Sequence, residues 1–281
     1  FVLKNLIYSL LILSLLCSTN LFAETKVALI IGNSNYQSKA LKNPHNDAND
    51  MAKMLTSFGF EVTLQTDLDQ RGMNKAVSHF GKKLKNADVA LFFYAGHAMQ
   101  VNGNNYLLPL GTKIESEDEI PYQTLNMGLV LAKMQSARSK VNIIILDACR
   151  DNPFANSFSR SVGSRGLVRV SAPTGSMVVY ATAPNQTAAD GKGRNGPFTQ
   201  HFLKNMAIPN IDLNEVVLRT RIGVIETTGG KQIPWNESSL TQKFYFSKDA
   251  NAKAEPAMIA VSPAVNTATK VADIWADAFQ Y

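Results

Sequence analysis

Two kinds of hydrophobic pattern alternate along the chain. Short, uninterrupted apolar runs predict strands that are buried on both faces, and apolar residues at intervals of three or four predict amphipathic helices. The predicted strands are residues 26–31, 61–66, 88–95, 141–148, 177–183 and 243–246, and the predicted helices are residues 48–58, 73–84, 125–134, 198–206 and 213–225. An Asn-Gly pair between strand-like flanks predicts a hairpin over residues 101–109.

Strands that alternate with helices in this way predict an α/β domain, in which helices cover both faces of a mostly parallel sheet. The alternation spans residues 24–247, which we interpret as one domain. Residues 248–281 are rich in Ala, Val, Thr and Pro and show little periodicity before Val271. We interpret them as a linker followed by the start of an unassigned C-terminal segment.

Residues 1–23 have the three-part pattern of a secretory signal peptide: an early Lys4, an apolar run over residues 6–17, and then small or polar residues. The run is short for a membrane span. We therefore expect cleavage after Ala23, no stable membrane span afterwards, and an exported protein that is periplasmic or secreted. A lipid anchor at Cys17 or a retained signal helix is the alternative.

Composition narrows the class of protein. Of the 281 residues, 45% are apolar and 18% are charged, which is typical of a globular chain. The net charge of +6 is mild, and its densest cluster, Lys82, Lys83 and Lys85, falls in a helical pattern. We interpret that cluster as a solvated helix face and expect no nucleic-acid partner.

The chain has two cysteines, and removal of the signal peptide leaves only Cys149. Cys149 follows one predicted buried strand and His97 follows another, so both belong at the carboxyl edge of the sheet, where the ligand sites of α/β folds gather. A nearby imidazole can take the thiol proton, or stabilise the thiolate as a cation, and then protonate a leaving amine. Taken alone, either residue is compatible with a structural role, but their joint placement favours a catalytic pair.

The segments around this pair resemble the caspase-like cysteine peptidases of peptidase family C14, and in detail the bacterial metacaspase and paracaspase branch. The resemblance covers most of the predicted domain, and its matching segments are ALIIGNSNY (28–36), NDANDM (46–51), FFYAGHAMQ (92–100), YLLP (106–109), LDACRDNPF (146–154), YATAPNQTAAD (180–190) and GRNGPFT (193–199). It implies the caspase-hemoglobinase fold, a three-layer α/β sandwich with a six-stranded, mostly parallel sheet. It also implies peptide-bond hydrolysis through a thioester intermediate, with Cys149 as the nucleophile and His97 as the acid and base.

The resemblance implies two further features of the site. Metacaspases and paracaspases have an acidic P1 pocket that prefers Arg or Lys, and the matching acids here are Asp47 and Asp147. From the residues alone, Asp47 could instead stabilise the first turn of its helix, and Asp147 could cap a turn or pair with Arg150. The backbone N–H groups of Ala98 and Cys149 would form the oxyanion hole. The family most often has glycine in place of Ala98, and a Cβ there restricts the backbone only if φ is positive.

Relatives can cleave themselves in the loop after the cysteine. Here residues 156–172 are rich in Ser, Gly and Arg and offer Arg160 and Arg165 as candidate self-cleavage sites, with an uncut loop as the alternative. Some metacaspases need calcium, but the sequence has no EF-hand or other calcium-ligand spacing, and its acidic run at 115–119 is typical of a solvated loop. The scattered histidines and cysteines give no zinc site, so we expect no cofactor and no bound metal, with calcium activation as the alternative.

The sequence therefore predicts a cysteine endopeptidase that cleaves protein or peptide substrates after Arg or Lys, and it predicts no particular oligomeric state. Two alternatives use the same residues. A catalytically silent, caspase-like binding or scaffold protein is disfavoured because both His97 and Cys149 are retained. A redox-sensing thiol is disfavoured because no resolving cysteine accompanies Cys149.

Overall fold

The central sheet contains most of the strands that the apolar runs predict. A computed structural model describes residues 24–149, 167, 171–183, 191 and 193–248, with the backbone alone at Cys149. Its strands are β1 (Lys26–Gly32), β2 (Phe60–Thr66), β3 (Val89–Val101), β4 (Asn104–Leu107), β5 (Leu125–Asn126), β6 (Val141–Cys149), β7 (Ser176–Tyr180) and β8 (Trp235–Ser238). The main sheet has the order β2–β1–β3–β6–β7–β8, and all of its pairs are parallel except β7 with β8. The predicted six-stranded, mostly parallel sheet is confirmed among the described residues.

Helices cover both faces of this sheet. They are α1 (Pro44–Ser57), α2 (Gln70–Lys83), α3 (Ile120–Gln123), α4 (Met127–Ala137), α5 (Pro197–Met206) and α6 (Leu213–Thr228), with a short 3-10 turn at Glu117–Glu119. The helices α1, α5 and α6 share one apolar core with the sheet, and α2 and α4 share the other. The described residues therefore form the expected three-layer sandwich.

Alternate residues of each buried strand supply the two cores. In β1, Ala28 and Ile30 belong to the core on the α1 side, whereas Val27, Leu29 and Ile31 belong to the core on the α2 side. A strand that is covered on both faces must be apolar at every position. The uninterrupted apolar runs in the sequence follow from this arrangement.

The first turn of α1 lies against the carboxyl end of β1. A Cβ atom at Gly32 would lie 2.5 Å from the carbonyl oxygen of Pro44 and 2.7 Å from the Cβ of Ala48. Only glycine permits this approach, because backbone and a short side chain cannot move aside. The close packing brings Asp47, in the first turn of α1, to the edge of the sheet where the functional residues are expected.

Two predicted strands differ from the structure. The prediction of a strand at residues 243–246 is wrong, and β8 lies earlier in the chain. Phe244 and Phe246 are both buried, so this segment has the apolar alternation of a strand without pairing as one. Strand β3 continues beyond its predicted end at residue 95 because its last residues pair antiparallel with β4. The Asn-Gly hairpin that joins β3 to β4 is present as predicted.

Some predicted features lie outside the described residues. They are the signal peptide at residues 1–23, the segment beyond Lys248, and the candidate self-cleavage sites Arg160 and Arg165. Within the part of the chain that the structure describes, no helix is both long enough and apolar enough to cross a membrane.

Candidate active site

The strands β3 and β6 bring the two candidate catalytic residues together. Their parallel register pairs His97 directly with Cys149, and neighbouring strands of a sheet lie about 4.8 Å apart. Both residues lie at the carboxyl edge of the sheet, as expected from the ends of the two apolar runs. The side chain of His97 is almost completely buried, with 2% of the residue exposed.

A main-chain carbonyl holds the imidazole ring of His97. The Nε2 atom lies 2.7 Å from the carbonyl oxygen of Lys39. Since a carbonyl oxygen only accepts, Nε2 must carry a proton, and in the neutral ring Nδ1 is then the acceptor. The Tyr36 ring packs against the imidazole with a centroid distance of 4.5 Å. The histidine therefore has a defined tautomer and orientation, which suits a general base.

Lys39 was not identified by the sequence analysis. It contributes a backbone carbonyl, so its side chain carries no signature of the role. Its left-handed φ of 57° is uncommon for a residue other than glycine. Lys39 lies in the loop after β1. This loop begins within the matching segment ALIIGNSNY (28–36) and continues beyond it.

The backbone of His97 is held on both sides by tyrosine hydroxyls. The His97 N–H donates to the hydroxyl of Tyr36 over 3.0 Å. The His97 carbonyl accepts from the Tyr94 hydroxyl over 2.7 Å and from the Leu108 N–H over 2.9 Å. Both peptide units that flank His97 are therefore fixed by hydrogen bonds, and neither tyrosine was assigned a role from the sequence.

The peptide unit between His97 and Ala98 points its N–H toward β6. The carbonyls of Ala95 and His97 face the β1 and β4 side, where they accept from the N–H groups of Asn33 and Leu108. The described residues contain no cis peptide bond, so the Ala98 N–H points the opposite way, toward the strand that ends at Cys149.

The alanine at position 98 imposes no backbone strain. Its φ is not positive, and its Cβ is buried in the core on the α2 side. The glycine that the site does require is Gly96. Its φ is +156°, and a Cβ there would lie 2.6 Å from the Tyr94 hydroxyl and 2.7 Å from the Tyr36 hydroxyl.

The two predicted acids converge on the start of α5. Asp47 is 3% exposed, and its Oδ1 accepts from the N–H of Gly196 over 3.0 Å. Asp147 is half-buried near the end of β6, and its Oδ2 accepts from the Thr199 hydroxyl over 2.6 Å. Gly196 is the N-cap residue of α5, and Thr199 is in its first turn. The positive end of the helix dipole favours carboxylates at this place.

The structure describes the alternative role of Asp47 but not that of Asp147. Asp47 does lie in the first turn of α1, so it fits its helix as well as the sheet edge. A pairing of Asp147 with Arg150 involves a residue outside the described part of the chain. The contact with Thr199 gives Asp147 a partner that the sequence analysis did not anticipate.

An ion pair ties the segment before α5 to α1. The guanidinium of Arg194 binds Asp50 with two hydrogen bonds of 2.9 Å each, and Asn195 donates to the same carboxylate over 3.0 Å. Asn46 donates to the Arg194 carbonyl over 3.0 Å. The hydrogen bond from Arg194, against a smaller opposing effect of burial, holds the pKa of Asp50 below its ordinary value. Gly196, the partner of Asp47, directly follows this anchored segment.

The described residues contain no group of three or more His, Cys, Asp or Glu side chains that could hold a metal ion. Within the acidic run, Glu119 accepts from the Glu115 N–H and from the Gln123 side chain. Its carboxylate therefore stabilises the local turn.

Comparison with known proteins identifies relatives in both sequence and fold. The family model of the caspase domain, peptidase family C14, matches residues 25–245. Mucosa-associated lymphoid tissue lymphoma translocation protein 1 of Homo sapiens is 29% identical over 232 residues, which are 79% of this chain and 26% of the relative. Its Mus musculus homolog is 28% identical over the same length. The chain spans about a quarter of the length of these relatives.

Solved caspases have the same fold. The crystal structure of caspase-1 from Spodoptera frugiperda superposes with a TM-score of 0.60 at 16% identity, covering 82% of this chain and 93% of that one. The Drosophila initiator caspase Dronc superposes with a TM-score of 0.58 at 14% identity, covering 80% and 85%. The fold implied by the resemblance is therefore confirmed.

Proposed function

The chain belongs to the caspase-domain family, peptidase family C14, and from this premise we propose that it is a cysteine endopeptidase that cleaves after Arg or Lys. One observation carries the proposal: the register of β3 and β6 pairs His97 with Cys149, and the Lys39 carbonyl fixes the imidazole. A thiol and an oriented imidazole on adjacent strand ends are the minimum for nucleophilic catalysis by cysteine.

The reaction proceeds in two steps. The Cys149 thiol gives its proton to His97, and the thiolate attacks the substrate carbonyl carbon to form a tetrahedral oxyanion. The N–H groups of Ala98 and Cys149 stabilise this oxyanion. His97 returns the proton to the leaving amine, the C–N bond breaks, and a thioester remains. Water, deprotonated by His97, then hydrolyses the thioester and releases the acid product and the thiol.

The basic P1 preference rests on Asp47 and Asp147. Both carboxylates are oriented by the start of α5, and both belong to elements that reach the edge where His97 lies. A carboxylate has about four acceptor positions, so it can accept from α5 and from a substrate cation at the same time. A guanidinium or ammonium group between two carboxylates gains charge-assisted hydrogen bonds that an acidic P1 residue cannot make.

A peptide series tests the function and its specificity separately. Fluorogenic peptides that differ only in P1, as Arg, Lys, Ala and Asp, are offered to the wild type and to the Cys149→Ala and His97→Ala variants. We expect cleavage of the Arg and Lys peptides by the wild type and its loss, by 1,000-fold or more, in both variants. His79→Ala is the matched control, because His79 is an exposed histidine on α2.

The outcomes distinguish the candidate functions. If the wild type cleaves none of the peptides, the enzyme proposal fails and a catalytically silent binding protein becomes the better interpretation. Cleavage after Asp alone would contradict the P1 assignment and leave the catalytic pair intact.

Self-cleavage after Arg160 or Arg165 is a second part of the proposal. The support is the basic, Ser- and Gly-rich composition of residues 156–172, since this composition is typical of segments in which proteolysis concentrates. We expect the purified wild type to yield fragments that the Cys149→Ala variant lacks, as seen by intact mass. Identical fragment masses for the two proteins would contradict it.

A further inference from the structure

Two tyrosines, the buried Tyr94 and the half-buried Tyr36, form a hydrogen-bonded unit with the backbone around the candidate catalytic histidine. The Tyr36 and Tyr94 hydroxyls lie 3.1 Å apart, and each also lies 3.0 Å from the Leu108 carbonyl. Tyr94 is completely buried. Leaving its hydroxyl without a hydrogen-bond partner would cost about 1–3 kcal/mol of folding stability. The hydrogen-bonded position of this hydroxyl is therefore strongly favoured.

The protons in this unit can be assigned. The His97 N–H donates to Tyr36, which leaves the Tyr36 proton for another acceptor. The shortest contact, 2.7 Å, runs from Tyr94 to the His97 carbonyl, so Tyr94 donates there. Tyr36 then donates to the Leu108 carbonyl. Each hydroxyl thus donates its single proton to a different carbonyl, Tyr94 to His97 and Tyr36 to Leu108.

This assignment fixes the orientation of one particular peptide unit. The His97 carbonyl has two donors, Tyr94 and the Leu108 N–H. Because a peptide is planar and trans, holding its carbonyl also holds the N–H on its other side. That N–H belongs to Ala98 and points toward the strand that ends at Cys149.

We propose that Tyr36 and Tyr94 are positioning residues that hold the Ala98 N–H in place as an oxyanion donor. The inference rests on the proposed function. Each hydroxyl acts through the backbone of His97. Tyr94 acts on the peptide unit after His97, and Tyr36 acts on the unit before it and lies in contact with the Tyr94 hydroxyl. A preorganised donor needs no reorganisation as charge develops, which is the main source of oxyanion stabilisation.

The expected effect of Tyr94→Phe is a partial loss of that stabilisation. Removing a whole oxyanion donor costs about 100- to 1,000-fold in kcat. The Leu108 N–H still holds the His97 carbonyl in this variant, so we expect a loss of about tenfold in kcat, with KM within about twofold. Tyr36→Phe acts less directly and should cost less than Tyr94→Phe.

A second readout separates positioning from general damage. Alkylation of Cys149 by iodoacetamide depends on the thiolate but forms no oxyanion. We expect its rate and pH profile to be unchanged in Tyr94→Phe while kcat for a P1-Arg peptide falls. Because the two hydroxyls are in contact and act on the same histidine backbone, the double variant should lose less than the product of the two single losses.

Tyr106→Phe is the matched control. Tyr106 is a buried tyrosine on β4, and among the described residues its hydroxyl makes no hydrogen bond to the peptide units around His97. It should retain wild-type kcat. An active wild type with an unchanged Tyr94→Phe variant overturns this inference alone, as does a fall in kcat matched by an equal fall in alkylation rate. A wild type that cleaves no peptide overturns the proposed function and this inference with it.

Discussion

The two sides of the candidate site are built from different interactions. The histidine side consists of His97, Lys39, Tyr36 and Tyr94, and its bonds join uncharged hydroxyls, an imidazole and backbone groups that are buried or partly buried. The acidic side consists of Asp47, Asp147 and the start of α5. Its support includes the Arg194–Asp50 ion pair, in which the Arg194 side chain is 63% exposed.

This difference separates two tasks that a peptidase must perform. Hydrogen bonds between buried neutral groups are insensitive to salt and hold reacting groups at fixed positions. Exposed ion pairs are weakened by dissolved ions and hold a segment less tightly. The histidine side is thus suited to chemistry, and the acidic side is suited to recognising charge. Substitutions on the two sides should therefore change different kinetic constants.

The largest effect is expected from Gly96→Ala on the histidine side. The added Cβ would approach both tyrosine hydroxyls within 2.7 Å, at a φ of +156°. Both hydroxyls would have to move, and they hold both peptide units of His97. We expect kcat for a P1-Arg peptide to fall by about 1,000-fold, and the free energy of unfolding to fall by about 2 kcal/mol.

Gly103→Ala is the control for this substitution. Gly103 also has a positive φ, of +76°, but a Cβ there would meet nothing within 4 Å. It should cost about 1 kcal/mol of stability and leave kcat unchanged. Equal kinetic losses in the two variants would mean that the tyrosines are irrelevant and that only backbone strain matters.

The next largest effect is expected on the acidic side. Asp47→Asn and Asp147→Asn each remove one negative charge while keeping a side chain of the same shape. We expect kcat/KM for P1-Arg and P1-Lys peptides to fall by about 100-fold, and the smaller value for a P1-Ala peptide to stay within about threefold. Asp88→Asn removes an acid at the opposite end of β3 and should change neither. Parallel losses for all peptides would refute the assignment of these acids to P1.

The sequence-based prediction gave most of the elements and the candidate catalytic pair, because both leave side-chain patterns. The apolar runs predicted β1, β3 and β6, and their ends predicted that His97 and Cys149 would be neighbours. It missed Lys39, since a carbonyl is common to every residue. It missed the structural supports as well, since no local pattern reveals that Arg194 pairs with an acid 144 positions away.

The misplaced last strand has a comparable cause. Phe244 and Phe246 alternate with polar residues as in a strand, and both are buried. Periodicity reports which side chains face the core, but it contains no information on whether a neighbouring strand is available for pairing. β8 has the opposite property: it pairs with β7 although its sequence, WNES, is largely polar.

A smaller effect is expected from Arg194→Ala. Loss of the ion pair with Asp50 frees the segment that presents the Gly196 N–H to Asp47. We expect KM for a P1-Arg peptide to rise about threefold at low salt, with kcat unchanged. The difference should vanish near 1 M salt, where the screening length is about 3 Å. Lys140→Ala breaks an exposed pair with Asp88 at the other edge of the sheet and should leave KM unchanged at any salt concentration.

The smallest kinetic effect is expected from Asp67→Asn, because Asp67 contacts the loop that carries Tyr36 and Lys39 and not the candidate catalytic histidine itself. Its Oδ1 accepts from the N–H groups of Ser34 and Asn35, which precede Tyr36, over 2.9 and 3.1 Å. Although burial alone would raise it, these N–H groups lower the pKa of Asp67 below its ordinary value of 3.8. A lowered pKa means that the folded state favours the charged form. The stabilisation is thus fully present above pH 3.8 and is lost as the pH falls below that value.

We therefore expect Asp67→Asn to lower Tm by about 3 °C at pH 7, which corresponds to about 1 kcal/mol for a domain of this size. The difference from the wild type should shrink as the pH falls below 3.8, and kcat should change by less than about twofold because Lys39 and the tyrosines remain. Thermal unfolding of both proteins from pH 7 to about pH 3 measures the difference in Tm, and a P1-Arg peptide assay measures kcat. A Tm difference that grows on acidification would show that Asp67 is not held in its charged form, and a large fall in kcat would show that the histidine side depends on this loop anchor.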